Sequence, residues 1–208
     1  MEVNVKPNSV NSNMGHMARR VVAAMLLSAS APSVCAAGPA QFNDKGELLL
    51  PQNYREWVMV GTQVTPNEQN GGKAPFTETR VVYIDPESYA HWKKSGEFPD
   101  GAMMVKELIS VGERQGPGSG NGYFMGDYIG LEASVKDAKR FAKEPGNWAY
   151  YIFYVPDKPL VKSAMNFPTA ECAACHQANA KTDMVFTQFY PVLRAAKGTG
   201  LSGVQAPK

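Results

Sequence analysis

Trp148-Ala149-Tyr150-Tyr151-Ile152-Phe153-Tyr154-Val155 decides the fold class. Every position but one is aromatic or β-branched, the side chains that suit a pleated, half-buried surface. A run this short, with no charge, reads as a core strand rather than a helix. Working outward, similar runs recur upstream: Arg55 to Val64 (REWVMVGTQV), Thr79 to Ile84 (TRVVYI), Met103 to Val111 (MMVKELISV) and Tyr123 to about Val135. Gly126 and Gly130 in the last of these predict bulges or close backbone approaches. A glycine-rich loop spans Gln115 to Gly122. Between the strands, Asp85-Pro86-Glu87 opens a short helix with Asp85 as N-cap and Pro86 at its first position, and Gly96 closes it. After Pro168 the character turns helical. A helix starting at Thr169 or Ala170 carries Cys172, Cys175 and His176. Asp183 can cap a last segment, in which Val185, Phe186, Phe189, Val192, Leu193 and Ala196 share one face and Pro191 kinks or restarts the helix. Strands followed by helices predict an α+β fold: a mostly antiparallel sheet with a few short helices, the one that carries Cys172, Cys175 and His176 lying near the C-terminus.

The chain has 208 residues, 21 basic against 19 acidic, for a net charge of +2. So small an imbalance gives no reason to expect nucleic acid. No apolar run approaches the roughly 20 residues of a membrane span. Residues 1–37 read as a secretory signal: Arg19-Arg20, a short apolar core from Val21 to Leu27, then small residues through Ala36 and Ala37. Residues 38–208 are then expected to form a single domain in the periplasm. Cleavage removes Lys6, Arg19, Arg20 and Glu2, which leaves 18 basic and 18 acidic residues. It also leaves Cys172 and Cys175 as the only cysteines, and His91 and His176 as the only histidines.

Cys172-Ala173-Ala174-Cys175-His176 has the C-x-x-C-H spacing of c-type haem attachment. Two thiols one turn apart can meet the two vinyl groups of one porphyrin, and the next residue offers an imidazole to the iron. A redox C-x-x-C would open the first helix of a βαβ unit, and none precedes it. A zinc site would need further ligands, and no other mature cysteine exists. One haem c per chain is therefore predicted, with thioethers at Cys172 and Cys175 and His176 on the iron. His91, beside Trp92-Lys93-Lys94, reads as a surface residue. Met59, Met103, Met104, Met125, Met165 and Met184 are candidate sixth ligands, although buried methionine is more often core filling. The motif comes late, so the far side of the haem must be built mainly by the preceding sheet. That arrangement favours an open sixth position. The aromatic and β-branched runs argue against a four-helix-bundle cytochrome.

Several stretches carry a more specific resemblance: Phe42-Asn43-Asp44-Lys45-Gly46-Glu47, Leu50-Pro51, Tyr54-Arg55-Glu56-Trp57, Tyr83-Ile84-Asp85-Pro86, Val105-Lys106-Glu107-Leu108 and the C-x-x-C-H. Together they resemble the cytochrome P460 family of ammonia-oxidising bacteria across essentially the whole mature chain. The resemblance implies a mostly β homodimer in the periplasm. It implies a haem with a third tether, from a lysine to a porphyrin meso carbon. It also implies oxidation of hydroxylamine to nitrous oxide through nitric oxide-level species, with a soluble c-type cytochrome taking the electrons.

By that resemblance the tethering residue is Lys106. Read alone, Lys106 sits mid-strand, on the face of Met104 and Leu108 by period-2 alternation. An inward ammonium on an apolar face is costly unless paired or neutralised. The proton acceptor implied lies in the strand after the glycine-rich loop, where Glu132 is the choice over Asp127; the two have opposite parity, so register decides. Arg80 is the expected distal cation, holding the carboxylate or an anionic species, and Phe76 is a candidate cap of the pocket. Two other functions stay open. A gas-binding protein like cytochrome c′-β would bind nitric oxide without turnover, and a low-spin electron-transfer cytochrome c would use a methionine ligand.

Overall fold

The computed structural model describes residues 39–76, 78–116 and 118–198. All of them fall within the unit Ala36–Lys208. The signal sequence expected over residues 1–37 lies outside the described residues.

In chain order the elements are β1 (Leu48–Leu49), β2 (Val58–Val64), β3 (Thr79–Ile84), α1 (Pro86–Ser95), β4 (Met103–Val111), β5 (Gln115–Gly116), β6 (Gly120–Asn121), β7 (Met125–Lys136), β8 (Trp148–Ile152), β9 (Ser163–Ala164), α2 (Cys172–Asn179) and α3 (Pro191–Ala196). Five of the strands form one antiparallel sheet in the order β2-β3-β4-β7-β8. This is the predicted α+β architecture, with short helices.

The sheet is covered on both faces, which explains why β3 and β4 read as nearly continuous apolar runs rather than as alternating ones. On one face Val82, Ile84, Met104, Trp148 and Tyr150 pack with Tyr89 and Trp92 of α1, Ala173 of α2, and Leu193 and Ala196 of α3. On the other, Met103, Val105, Leu131, Ala133, Val135, Ala149 and Tyr151 pack with Leu48, Phe141, Phe153 and Ala164. Helix α1 begins and ends as its sequence dictates. The Asp85 carboxylate accepts the Ser88 N–H at 2.8 Å, Pro86 opens the helix, and Gly96 closes it at φ 74°. The same carboxylate accepts the Met103 N–H at 2.9 Å and so ties the helix start to the strand that follows. The Trp92 indole donates to the Leu193 carbonyl at 2.8 Å, which docks α3 on α1.

Both suspected glycines mark irregularities. The β4–β7 register shifts between Leu108 and Ile109 and again between Ile109 and Val111, opposite the stretch that holds Gly126 and Gly130. A Cβ at Gly130 would lie 2.5 Å from Tyr154 Cβ, so the neighbouring chain passes too close for a side chain.

Five expectations need correction, the first being the strand read over Trp148 to Val155, which ends at Ile152. The run beginning at Arg55 starts instead with a 3-10 turn, Tyr54–Glu56, because Asn53 turns the chain at φ 53° before β2. The glycine-rich loop holds a minimal hairpin, β5 with β6. The helix of the cysteine motif starts at Cys172, after a turn in which the Glu171 N–H donates to the Pro168 carbonyl. Asp183 caps no helix: it lies at φ 45° in a tight turn, and Val185 to Ala196 divide between a 3-10 turn (Thr187–Phe189) and α3. Pro191 does restart the chain, as the first residue of α3, and Phe189 is left exposed.

Candidate functional site

Register builds one row of side chains across four strands. Val82 of β3, Lys106 of β4, Glu132 of β7 and Ile152 of β8 are successive cross-strand partners. Directly opposed residues share a face, so Lys106 and Glu132 meet, and they form an ion pair. Neither is fully buried: 29% and 23% of their side-chain surfaces stay open. Asp127 lies on the exposed, bulged part of β7, where its backbone N–H is held by Ser110 Oγ at 2.7 Å. Of the two candidate acids, Glu132 is the one set beside Lys106.

Arg80 stands on β3, only 9% exposed. Its Nη2 donates to Thr65 Oγ1 at 3.2 Å, while its buried Nε–H has no partner among the described residues. It makes no direct bond to Glu132, although the carboxylate's field reaches it. Burial pushes its pKa down, with Tyr190 and Glu132 opposing. The Phe76 ring is shared by two cations: Arg80 Cζ lies 5.7 Å and Lys106 Nζ 5.8 Å from its centroid. That ring is 60% exposed.

Helix α2 supplies the rest of the site. It is anchored by Ala173, buried in the core that also holds Tyr150. The thiols of Cys172 and Cys175 are free, and at i and i+3 they lie on neighbouring positions of one helical surface. The His176 ring lies 4.4 Å from the Tyr150 ring and 4.7 Å from the Phe186 ring. Its Nδ1 is 2.6 Å from the Met184 carbonyl, so Nδ1 carries the proton and donates. The Nε2 lone pair makes no hydrogen bond among the described residues. Burial lowers the His176 pKa, against the Met184 hydrogen bond that raises it. Burial likewise raises the Cys172 pKa. Ala173 and Cys172 pack in the cluster that holds Val82, the cross-strand partner of Lys106, so the ion pair and the cysteine motif share one face of the sheet.

This donor set fits a c-type haem. Two free thiols are spaced for two thioethers. A half-buried imidazole is kept neutral, in the form that binds metal, and its second nitrogen is fixed by a carbonyl as is usual for a metal-ligating histidine. Two open cavities lie elsewhere. One of about 360 Å³ is lined by Leu50–Glu56, Leu131 and Leu160, and one of about 570 Å³ by Glu113–Gly116 and Asn121; neither touches the Cys172–His176 segment.

The other expected residues take ordinary places. His91 is exposed. Met103 and Met104 are core residues, and Met59, Met125 and Met165 are exposed. Met184 contributes its backbone carbonyl rather than its sulfur to the site. Sequence reading missed Tyr150, Thr65 and this carbonyl. Tyr150 could have been found by alternation from Trp148, whereas the other two depend on tertiary approach.

An antiparallel sheet carrying a C-x-x-C-H helix beside a lysine–carboxylate row defines a c-type haem protein of α+β architecture. A sequence model of the family described as Cytochrome P460 matches residues 51–187, about two thirds of the chain, and the protein belongs to that family. No curated protein matches it. Membership makes it a haem-dependent, iron-binding c-type cytochrome consistent with an oxidoreductase. No helix among the described residues is long and apolar enough to cross a membrane.

Proposed function

We propose that this is a periplasmic hydroxylamine oxidase, which converts two hydroxylamines to nitrous oxide and water and releases four protons and four electrons. The electrons pass to a soluble c-type cytochrome. The observation that carries the reading is the cross-strand pairing of Lys106 with Glu132 next to the Cys172–His176 helix. Cys172 and Cys175 would form the thioethers, His176 Nε2 the axial bond, and Lys106 Nζ the third covalent attachment. When bound, the haem supplies the iron at which substrate nitrogen is oxidised.

The protein's own groups then divide the work. Nδ1–H of His176 donates to the Met184 carbonyl, which orients the imidazole and strengthens it as a donor. Glu132 accepts protons as electrons leave, since each oxidation step must shed a proton. The ion pair gives this a precondition. While Lys106 is an ammonium, the Glu132 carboxylate is neutralised by it. In a tethered form Lys106 Nζ would no longer carry that charge, and the Glu132 carboxylate would be free to act as a base. Arg80 offers its unpartnered Nε–H to an oxygen of substrate or of bound water. Phe76 covers the two cations and limits the entry of water. The homodimer is part of this proposal by family alone.

The same ion pair defines the second reading. Were Lys106 to stay an ammonium in the mature protein, Glu132 would stay occupied and the site would bind nitric oxide without turnover. Two measurements on Lys106→Ala separate the readings: its absorption spectrum and its nitrous oxide production from hydroxylamine. The expected result is an ordinary haem c spectrum, haem still on the Cys172–Cys175 peptide, and turnover lost. Retention of both the wild-type spectrum and the activity would overturn the assignment. A wild-type spectrum with two strong axial ligands would point to an electron carrier instead.

A further inference from the structure

The turn after α2 is built at odds with one of its central residues, Met184. Thr182 and Val185 close it through paired backbone hydrogen bonds, with the Val185 N–H donating to the Thr182 carbonyl at 2.8 Å. The two central residues, Asp183 and Met184, lie at φ 45° and φ 62°. Two positive φ values in succession are the pattern that glycine, asparagine and aspartate satisfy, so Asp183 suits its place and Met184 does not. Such a conformation persists only where its surroundings hold it.

Here the surroundings converge on Asp183. Lys136 Nζ, at the end of β7, lies 2.5 Å from Asp183 Oδ2 and also donates to the Phe98 carbonyl at 3.2 Å. Trp148 Nε1, at the start of β8, donates to Asp183 Oδ1 at 3.3 Å. Both carboxylate oxygens are therefore taken, each by a different strand of the central sheet. On a third side Gly146 leaves room for the turn: a Cβ there would come within 2.7 Å of Met184 Cγ. What this turn presents is the Met184 carbonyl, which receives His176 Nδ1–H at 2.6 Å and lies 3.5 Å from the Tyr150 hydroxyl.

We infer that Asp183, clamped by Lys136 and Trp148, is a positioning residue for the His176 imidazole: it holds an unfavourable turn so that one carbonyl fixes the ring's tautomer and sets the strength of the Nδ1–H hydrogen bond. The inference rests on the reading of His176 as the axial ligand. Asp183 touches neither substrate nor haem iron in this role. It acts through Met184, and its consequence is electronic. A strong Nδ1–H bond makes imidazole a better donor and stabilises the ferric state.

The test uses the purified holoprotein, with haem attachment verified by mass. Asp183→Ala removes the clamp, and Lys136→Met removes its cation while keeping an apolar stem. Each should lower the ferrous iron–imidazole stretching frequency. Each should also shift the ferric–ferrous balance about tenfold toward ferrous, a rise of about 59 mV in midpoint potential for one electron. Asp183→Gly combined with Met184→Gly should restore both, because glycine holds a positive φ at each position without a clamp. Ser163→Ala breaks a hydrogen bond to Glu47 far along the chain and should leave both unchanged. Unchanged frequency and potential in Asp183→Ala and Lys136→Met would overturn the inference and leave the axial assignment standing. To test that assignment separately, His91→Gln is grown on ¹⁵N-histidine, leaving His176 as the only labelled ring of the cleaved chain. A band that does not move on labelling overturns both.

Discussion

Lys106 and Glu107 are adjacent in sequence and face opposite sides of the sheet. Lys106 meets Glu132 near the cysteine motif. Glu107, 3% exposed, accepts from the Tyr54 hydroxyl at 2.6 Å, from Arg55 Nε at 2.7 Å and from the Tyr83 hydroxyl at 3.2 Å. A buried carboxylate is tolerable only with such partners, and its removal strands them. Glu107→Ala should cost about 3 kcal/mol, read as a lower midpoint of urea unfolding with the slope unchanged. A loss below about 1 kcal/mol would mean that the cluster is solvated in solution. At this scale much of the site was legible. The face of Lys106 followed from alternation, whereas Glu132 was preferred to Asp127 by resemblance, and only the β4–β7 register sets Glu132 opposite Lys106. The contacts of Arg80 were not legible: it leans on Thr65 and Phe76, residues of the β2–β3 connection whose approach no period describes.

Strands and helices differ in how openly the sequence declares them. β3 and β4 match their expected bounds, because a run buried on both faces ends where the apolar residues end. α1 matches because cap, proline and glycine all mark its limits. The C-terminal segment misled because Val185 to Ala196 keeps a helical period while a 3-10 turn interrupts it. The two-residue pairing of β1 with β9 joins segments over a hundred residues apart and has no local signal. β7 is the element most exposed to substitution. At Gly130 an added methyl group would meet Tyr154 Cβ and Cγ at 2.5 and 2.6 Å, both close to the backbone and hard to move. Gly130→Ala should therefore destabilise by about 1–3 kcal/mol. Because Gly130 lies two residues from Glu132, it should also perturb the site, seen as a changed haem spectrum. An unchanged melting temperature would show that the Tyr154 segment gives way freely.

Across the whole molecule, burial governs most of the tyrosines, while Tyr123 is raised first by its hydrogen bond to Glu68. Burial is the largest cause holding Tyr54, Tyr150 and Tyr151 well above the usual phenol value of 10.0. Tyr83, Tyr89, Tyr128 and Tyr190 are raised for the same leading reason. A phenol whose folded pKa lies above its unfolded one gives stability that is whole below pH 10. That stability is lost as the pH rises, because the unfolded chain ionises first. Denaturant midpoints measured from pH 8 to pH 11.5 should fall above about pH 10. The phenolate absorbance of the seven tyrosines named above as raised by burial should rise in the same range as the protein unfolds. A full phenolate signal from folded protein near pH 10 would contradict the burial described above.

The strict alternation of Lys106 and Glu107 also bears on how such a chain can vary in length. One codon gained or lost within β4 would carry the amine to the tyrosine-lined face and turn the acid toward α2, undoing both arrangements in a single event. The short hairpin of β5 and β6 interrupts no such row. Insertions and deletions are therefore expected to collect between Gln115 and Asn121, while the nine residues of β4 keep their number.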